Sequence, residues 1–166
     1  MQKPIEQASL RWITFGLVAE LYGVDVMRVR EVLRSMDITP VPGAPIWVLG
    51  IINLRGNVVT VIDTRRRFGL AIGESTEASR ILVVELESEV VGFLVDRISD
   101  VRHIQPEQVE AAPHLGRQQP ASYILGIANH ADDLVILVDL ASVARLAEAA
   151  DSAPAAEMSE VVCGHG

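Results

Sequence analysis

A sixteen-residue pattern that occurs twice constrains this chain more than any other feature. Val48-Leu49-Gly50-Ile51-Ile52-Asn53, followed by Val59 and Val61-Ile62-Asp63, aligns without a gap with Ile124-Leu125-Gly126-Ile127-Ala128-Asn129, Val135 and Leu137-Val138-Asp139, at an offset of 76. Leu, Gly, Ile, Asn, Val and Asp recur at six aligned positions, where ordinary residue frequencies give about one. Any two β-rich stretches share Val and Ile, but not an aligned Gly, Asn and Asp. A fixed internal repeat sets the architecture before single residues are read. The copies differ at their turns: Leu54-Arg55-Gly56-Asn57 in the first, His130-Ala131-Asp132-Asp133 in the second.

A second echo lies upstream. Residues 11–32 align with 80–101 at an offset of 69, matching Arg11, Leu17, Glu20, Gly23, Val26, Arg28 and Val32 with Arg80, Leu86, Glu89, Gly92, Val95, Arg97 and Val101. The chain therefore reads as two copies of one unit, with lobe one at about 11–70 and lobe two at about 80–145. Residues 1–10 read as a flexible lead-in and 151–166, rich in Ala, Ser, Glu and Pro, as a flexible tail.

Strands are expected at 11–17, 21–27, 48–53, 57–63, 80–86, 90–96, 123–128 and 134–139, where short Val/Ile/Leu runs end at Gly, Asn, Asp or Pro. Leu54-Arg55-Gly56-Asn57 reads as a hairpin turn, with Gly56 free to take a positive φ. Evenly spaced short strands with tight turns indicate small barrels, and so a mainly β fold. Val26, Val61, Val95 and Leu137 are expected in its core. Asp63 or Thr64 can cap a one-turn helix ending near Gly69, and residues 140–150 place Leu140, Val143, Ala144, Leu146 and Ala147 on one helical face. The prolines of Thr39-Pro40-Val41-Pro42-Gly43-Ala44-Pro45 predict an extended linker.

Composition limits the function. Hydrophobic residues make up 49% of 166 and charged residues 22%, enough to bury a core. A formal charge of −8 argues against binding nucleic acid or anionic membrane, and Arg65-Arg66-Arg67 is too short to reverse it. A single cysteine, Cys163, excludes an intrachain disulfide and fits a reducing, cytoplasmic setting. No apolar run is long enough for a membrane span, and no signal-peptide pattern opens the chain.

Catalytic and metal chemistry find little support. Two lobes with one aspartate each, Asp63 and Asp139, suggest the shared-proton dyad of an aspartic hydrolase. Such a dyad sits in tight glycine turns, whereas Arg65 follows Thr64 here and Leu140-Ala141 follows Asp139, so helix capping explains both aspartates more simply. His103, His114, His130 and His165 form no ligand cluster, and Cys163-Gly164-His165-Gly166 offers two ligands at most. No serine or cysteine nucleophile motif, P-loop or dinucleotide fingerprint occurs. No cofactor and no metal is expected, and the chain reads as a binding module.

Three segments carry a family resemblance: Tyr22-Gly23-Val24-Asp25-Val26-Met27-Arg28-Val29-Arg30-Glu31-Val32-Leu33; Ile38-Thr39-Pro40-Val41-Pro42-Gly43-Ala44-Pro45 with Leu49-Gly50-Ile51-Ile52-Asn53-Leu54-Arg55-Gly56-Asn57-Val58-Val59; and Val91-Gly92-Phe93-Leu94-Val95-Asp96-Arg97-Ile98-Ser99-Asp100-Val101. Together they resemble the CheW family of chemotaxis coupling proteins across residues 11–148. The resemblance implies two SH3-like five-stranded β-barrels with short helices and a C-terminal helix. It also implies a non-enzymatic adaptor in the cytoplasm, recruited to membrane-associated arrays, that joins chemoreceptor tips to the histidine kinase CheA. A CheW-like regulatory domain cut from a kinase, or from a receiver-fused coupling protein, is the other reading; the polar termini favour a free-standing protein. Carried over residue by residue, the receptor and kinase contact falls on Val29, Glu31, Val32, Gly50, Asn53, Arg55 and Gly56. Val29 and Val32 are expected to supply apolar wall, Gly50 and Gly56 to allow close approach, and Glu31 and Arg55 to form an ion pair at the rim. Trp47 departs from the residues common at its place in the family.

Overall fold

The structure is a computed structural model that describes residues 10–34, 36–112 and 123–144. Its order is β1 (Arg11–Leu17), β2 (Glu20–Asp25), a 3-10 turn (Val26–Arg28), β3 (Val29–Arg34), β4 (Val48–Leu54), β5 (Asn57–Asp63), α1 (Thr64–Arg67), β6 (Arg80–Glu85), β7 (Val90–Val95), β8 (Arg97–His103), a second 3-10 turn (Pro106–Gln108), β9 (Val109–Glu110), β10 (Ile124–His130) and β11 (Asp133–Val138). Residues 140–144 are helical, within the 140–150 stretch where a helix is expected. Residues 1–9, 145–150 and the tail from 151 lie outside the described residues, as do His114, Cys163 and His165.

The strands form two sheets. One has the order β3-β6-β7-β5-β4, the other β8-β1-β2-β11-β10-β9. The first draws β3, β4 and β5 from the first repeat and β6 and β7 from the second; the other sheet takes the remaining strands. The expected lobes at 11–70 and 80–145 are therefore repeats of sequence but not separate bodies. The chain changes sheet in the middle of each repeat, after β2 and after β7. Parallel joins then knit the halves together, β5 on β7 and β11 on β2.

Registers confirm the pseudo-symmetry. Ile13 pairs with Val101 and Phe15 with Ile98 across one bulge; Leu82 pairs with Val32 and Val84 with Val29 across its counterpart, 69 positions away. Both repeated hairpins carry a second bulge, between Val48 and Gly50 and between Ile124 and Gly126. Beyond β3, Thr39 exchanges two backbone hydrogen bonds with Ile51 of β4, each 2.9 Å. That returns the five-stranded ladder to the chain leaving its first strand, an arrangement compatible with a small barrel. In the other sheet Glu110 pairs with Ile127, the counterpart of Ile51, so the sixth strand, β9, repeats the Thr39 bridge.

Burial follows from this geometry. Ile81 and Val83 face a cluster with Ile52, Val59 and Val61, while Leu82 and Val84 face Phe15, Leu17, Phe93 and Val95 in a core shared by both sheets. A strand buried on both faces reads as a continuous apolar run, which Ile81-Leu82-Val83-Val84 is. A third cluster, Trp12, Ile104, Ala128, Val135 and Leu137, fills the other sheet. Val61, Val95 and Leu137 are buried as expected. Val26 is only half-buried, because Asp25 accepts the Met27 N–H and turns the chain out of the strand there. The proline segment is not a plain extended linker either. After the Thr39 bridge it bends twice, with Ala44 N–H on the Val41 carbonyl and Val48 N–H on the Pro45 carbonyl.

Candidate functional site: the rim of the first repeated hairpin

β4 and β5 pair down to Leu54 opposite Asn57, leaving Arg55 and Gly56 as a two-residue turn. Arg55 has φ 53° and Gly56 φ 87°, the two positive values of a type I′ turn. A Cβ on Gly56 would meet nothing within 4 Å, so its backbone angle, not a close approach, asks for glycine. Asn53 supports the turn, its Oδ1 accepting the Gly56 N–H at 2.9 Å.

The conformation aims Arg55 at the outer strand β3. Its two terminal nitrogens donate to the two Glu31 oxygens, each at 2.7 Å, the planar fork of a bidentate pair. Arg55 is 68% exposed and Glu31 22%. The hydrogen bonds from Arg55 hold the Glu31 carboxyl below its ordinary range, and those to Glu31 hold the guanidinium above its own. The bridge ties β3 to the turn leaving β4, the two ends of the ladder, over the gap that Thr39 closes by backbone.

Beside the bridge lies an open groove of about 370 Å³. Arg30 and Glu31 line it from β3, Arg55 and Asn57 from the turn, Val58, Val59 and Thr60 from β5, and Ser88, Glu89 and Val90 from the β6–β7 connection. The rim is charged; of the apolar lining residues Leu54, Val58, Val59 and Val90, Val58 is the exposed one. The groove can hold a peptide or helix, with Val58 against an apolar side chain and the bridge against a polar one.

The structure brings the expected residues together only in part. Glu31, Asn53, Arg55 and Gly56 meet at the turn. Val32 is exposed on β3, and Val29 is half-buried against the shared core. Gly50 is buried, and a Cβ there would collide with the Thr39 carbonyl, so it serves the closure of the ladder instead of a partner's approach. Val58, Arg30, Thr60, Ser88 and Glu89 went unrecognised. Val58 was the legible one: strand alternation with Val59 and Val61 inside puts it outside, next to the turn.

The two aspartates are caps. Asp63 Oδ1 accepts the Arg65 N–H at 3.2 Å and Asp63 pairs with Arg66, whereas Asp139 accepts the Ala141 N–H and the Ser142 hydroxyl. Each is committed to its own helix start. Among the described residues no group of three His, Cys, Asp or Glu could hold a metal ion. Trp47 packs under the Arg67 guanidinium, 5.5 Å from its ring centre.

Residues 11–148 match the CheW-like domain family. The chain belongs to that family. A chemotaxis protein CheW of Rhizobium meliloti is 34% identical over 85% of this chain and 91% of its own length. One from Treponema pallidum is 30% identical over 82% of each. The scaffolding protein TtCheW of Thermoanaerobacter tengcongensis has the same fold, with TM-score 0.74 and 34% identity over 80% of this chain and 90% of its own. These relatives are named as chemotaxis and scaffolding proteins.

Proposed function

We propose that this CheW-family chain is a chemotaxis adaptor that couples the cytoplasmic tips of chemoreceptors to the regulatory domain of the histidine kinase CheA. The observation that carries the reading is the bidentate Glu31–Arg55 bridge on the rim of a groove with Val58 exposed inside it. A receptor tip is a helical hairpin, and an amphipathic helix would place an apolar stripe on Val58 and polar neighbours on the rim. The bridge fixes the rim's shape; as an exposed pair it adds little to folding. Recruitment to the membrane is then borrowed from the receptor. Among the described residues no helix is long and apolar enough to cross a membrane.

Replacing Arg55 with Ala tests this. Co-sedimentation with receptor-containing membranes and CheA should weaken about tenfold, as for loss of a well-placed interface arginine. The melting temperature should move by no more than about 2 °C, as for other surface changes. Unchanged capture of both partners would remove Arg55 from the contact.

A further inference from the structure

Asp96 is the single residue between β7 of one sheet and β8 of the other, and three structures meet on it. Its N–H donates to the Gly16 carbonyl at 3.0 Å, at the end of β1. Its Oδ2 accepts the Val18 N–H at 2.7 Å, in the β1–β2 turn. Its carboxylate also receives the Arg65 fork, Nε at 2.9 Å and Nη2 at 2.6 Å, from α1. Arg65 continues to the Ala71 carbonyl at 3.0 Å. Arg97 lies against Gly16, where a Cβ would strike its guanidinium, and donates to the Val18 carbonyl at 3.3 Å.

Val18 shows what this network holds. Its φ is 57°, in the left-handed region that a β-branched residue avoids. Such strain persists only where surrounding contacts over-determine it, and it marks positions worth a functional hypothesis. The aligned positions at the other crossover do not repeat these residues. Positions 69 or 76 residues away from Asp96, Val18 and Arg65 hold Met27, Glu87 and Ala141, and Met27 is exposed. One of two pseudo-equivalent crossovers passes through the Asp96–Arg65 network and the other through a 3-10 turn capped by Asp25.

We propose that Asp96 is a latch that holds the β1–β2 turn in a strained form and makes turn, crossover and α1 open or close as one unit. This reading is independent of the adaptor function. The latch lies at the far end of β5 from the Glu31–Arg55 turn, about 20 Å along a seven-residue strand. Its opening loosens the joint between the sheets while leaving the groove rim in place.

Amide hydrogen exchange on the full chain tests the proposal at Leu17 and Glu20, the last pair of the β1–β2 ladder. In Asp96→Ala these two amides should exchange at least tenfold faster, with Leu82 and Phe93 unchanged. Adding Val18→Gly should restore most of the protection, since glycine takes the positive φ without strain. Arg65→Gln, a milder change that serves if Asp96→Ala does not fold, should loosen the same two amides. Wild-type exchange at Leu17 and Glu20 in either single variant, or no rescue by Val18→Gly, overturns the latch.

Discussion

Asp100 takes the Thr14 hydroxyl at 2.5 Å and Arg102 Nε at 3.1 Å, and returns its own N–H to Thr14 at 3.0 Å. The hydrogen bond from Thr14 lowers its carboxyl most, partial burial opposes this, and Arg102 adds to the lowering. At Asp96 burial pushes upward, but the bonds from Arg65 and Val18 outweigh it and the net direction is down. A carboxyl with a folded value below its unfolded one stabilises above the unfolded value, about 3.9 for aspartate, and loses that contribution as pH falls through the folded value. Urea midpoints should therefore stay level on acidification to about pH 5 and drop below about pH 4. Asp96→Asn and Asp100→Asn should each make that drop shallower, and an unaltered acid limb in both would deny them the role. In the interior, Val61→Ala and Val95→Ala should cost about 2 kcal/mol and Leu137→Ala about 2–5, while half-buried Val26→Ala should cost less than about 1. Denaturant unfolding ranks them. Alternation made the first three legible; Val26 was not, because the Asp25 cap breaks the alternation at that residue.

At the scale of elements, each repeated glycine answers to a particular neighbour. Gly50 has φ 150° at a bulge, and its missing Cβ leaves room for the Thr39 carbonyl; Gly126 does the same for Glu110. Gly56 faces open space and needs only its φ. Alanine at 50 should therefore cost about 3 kcal/mol or more through a backbone collision, whereas alanine at 56 should cost about 1. Equal losses for the two would mean that the Thr39 closure is not what Gly50 serves. The main hairpins were legible because their strands are short, dense in Val, Ile and Leu, and bounded by Gly, Asn, Asp or Pro. β3 and β8 were not: a bulge shifts the phase of Val29-Arg30-Glu31-Val32, and β8 carries Arg97, Asp100, Arg102 and His103. The same strands carry the ties to the repeated turns, with polarity reversed. Glu31 on β3 takes Arg55 of the first turn, while Arg102 on β8 donates to the His130 carbonyl at 3.1 Å and the Asp133 carboxylate at 2.9 Å of the second. The Glu31–Arg55 bridge could be anticipated from charge and family pattern. The Arg102 bridge could not, since sequence spacing alone did not reveal β8.

Across the whole molecule, the repeat is real but its halves are exchanged. Sequence alignment shows equivalent units and is blind to which half pairs with which, because that depends on the two crossovers. In the five-stranded sheet β3 rests on β6, and β5 on β7, so the first repeat alone would leave β3 and β5 with no strand between them. The second repeat alone would lack β1 and β2, which join β8 to β11. The shared core adds to the dependence, since Phe15, Leu17, Tyr22 and Val24 close on Leu82, Val84, Phe93 and Val95. Neither 10–79 nor 80–148 can then bury its apolar faces, although each holds a full copy of the repeated pattern. Expressed separately, both fragments should lack a cooperative thermal transition and the near-ultraviolet signal of packed aromatics. Mixed in equal amounts they should recover both, because every missing ladder partner lies on the other fragment. A fragment that melts cooperatively alone would show that a repeat can pair within itself, contrary to the observed strand order.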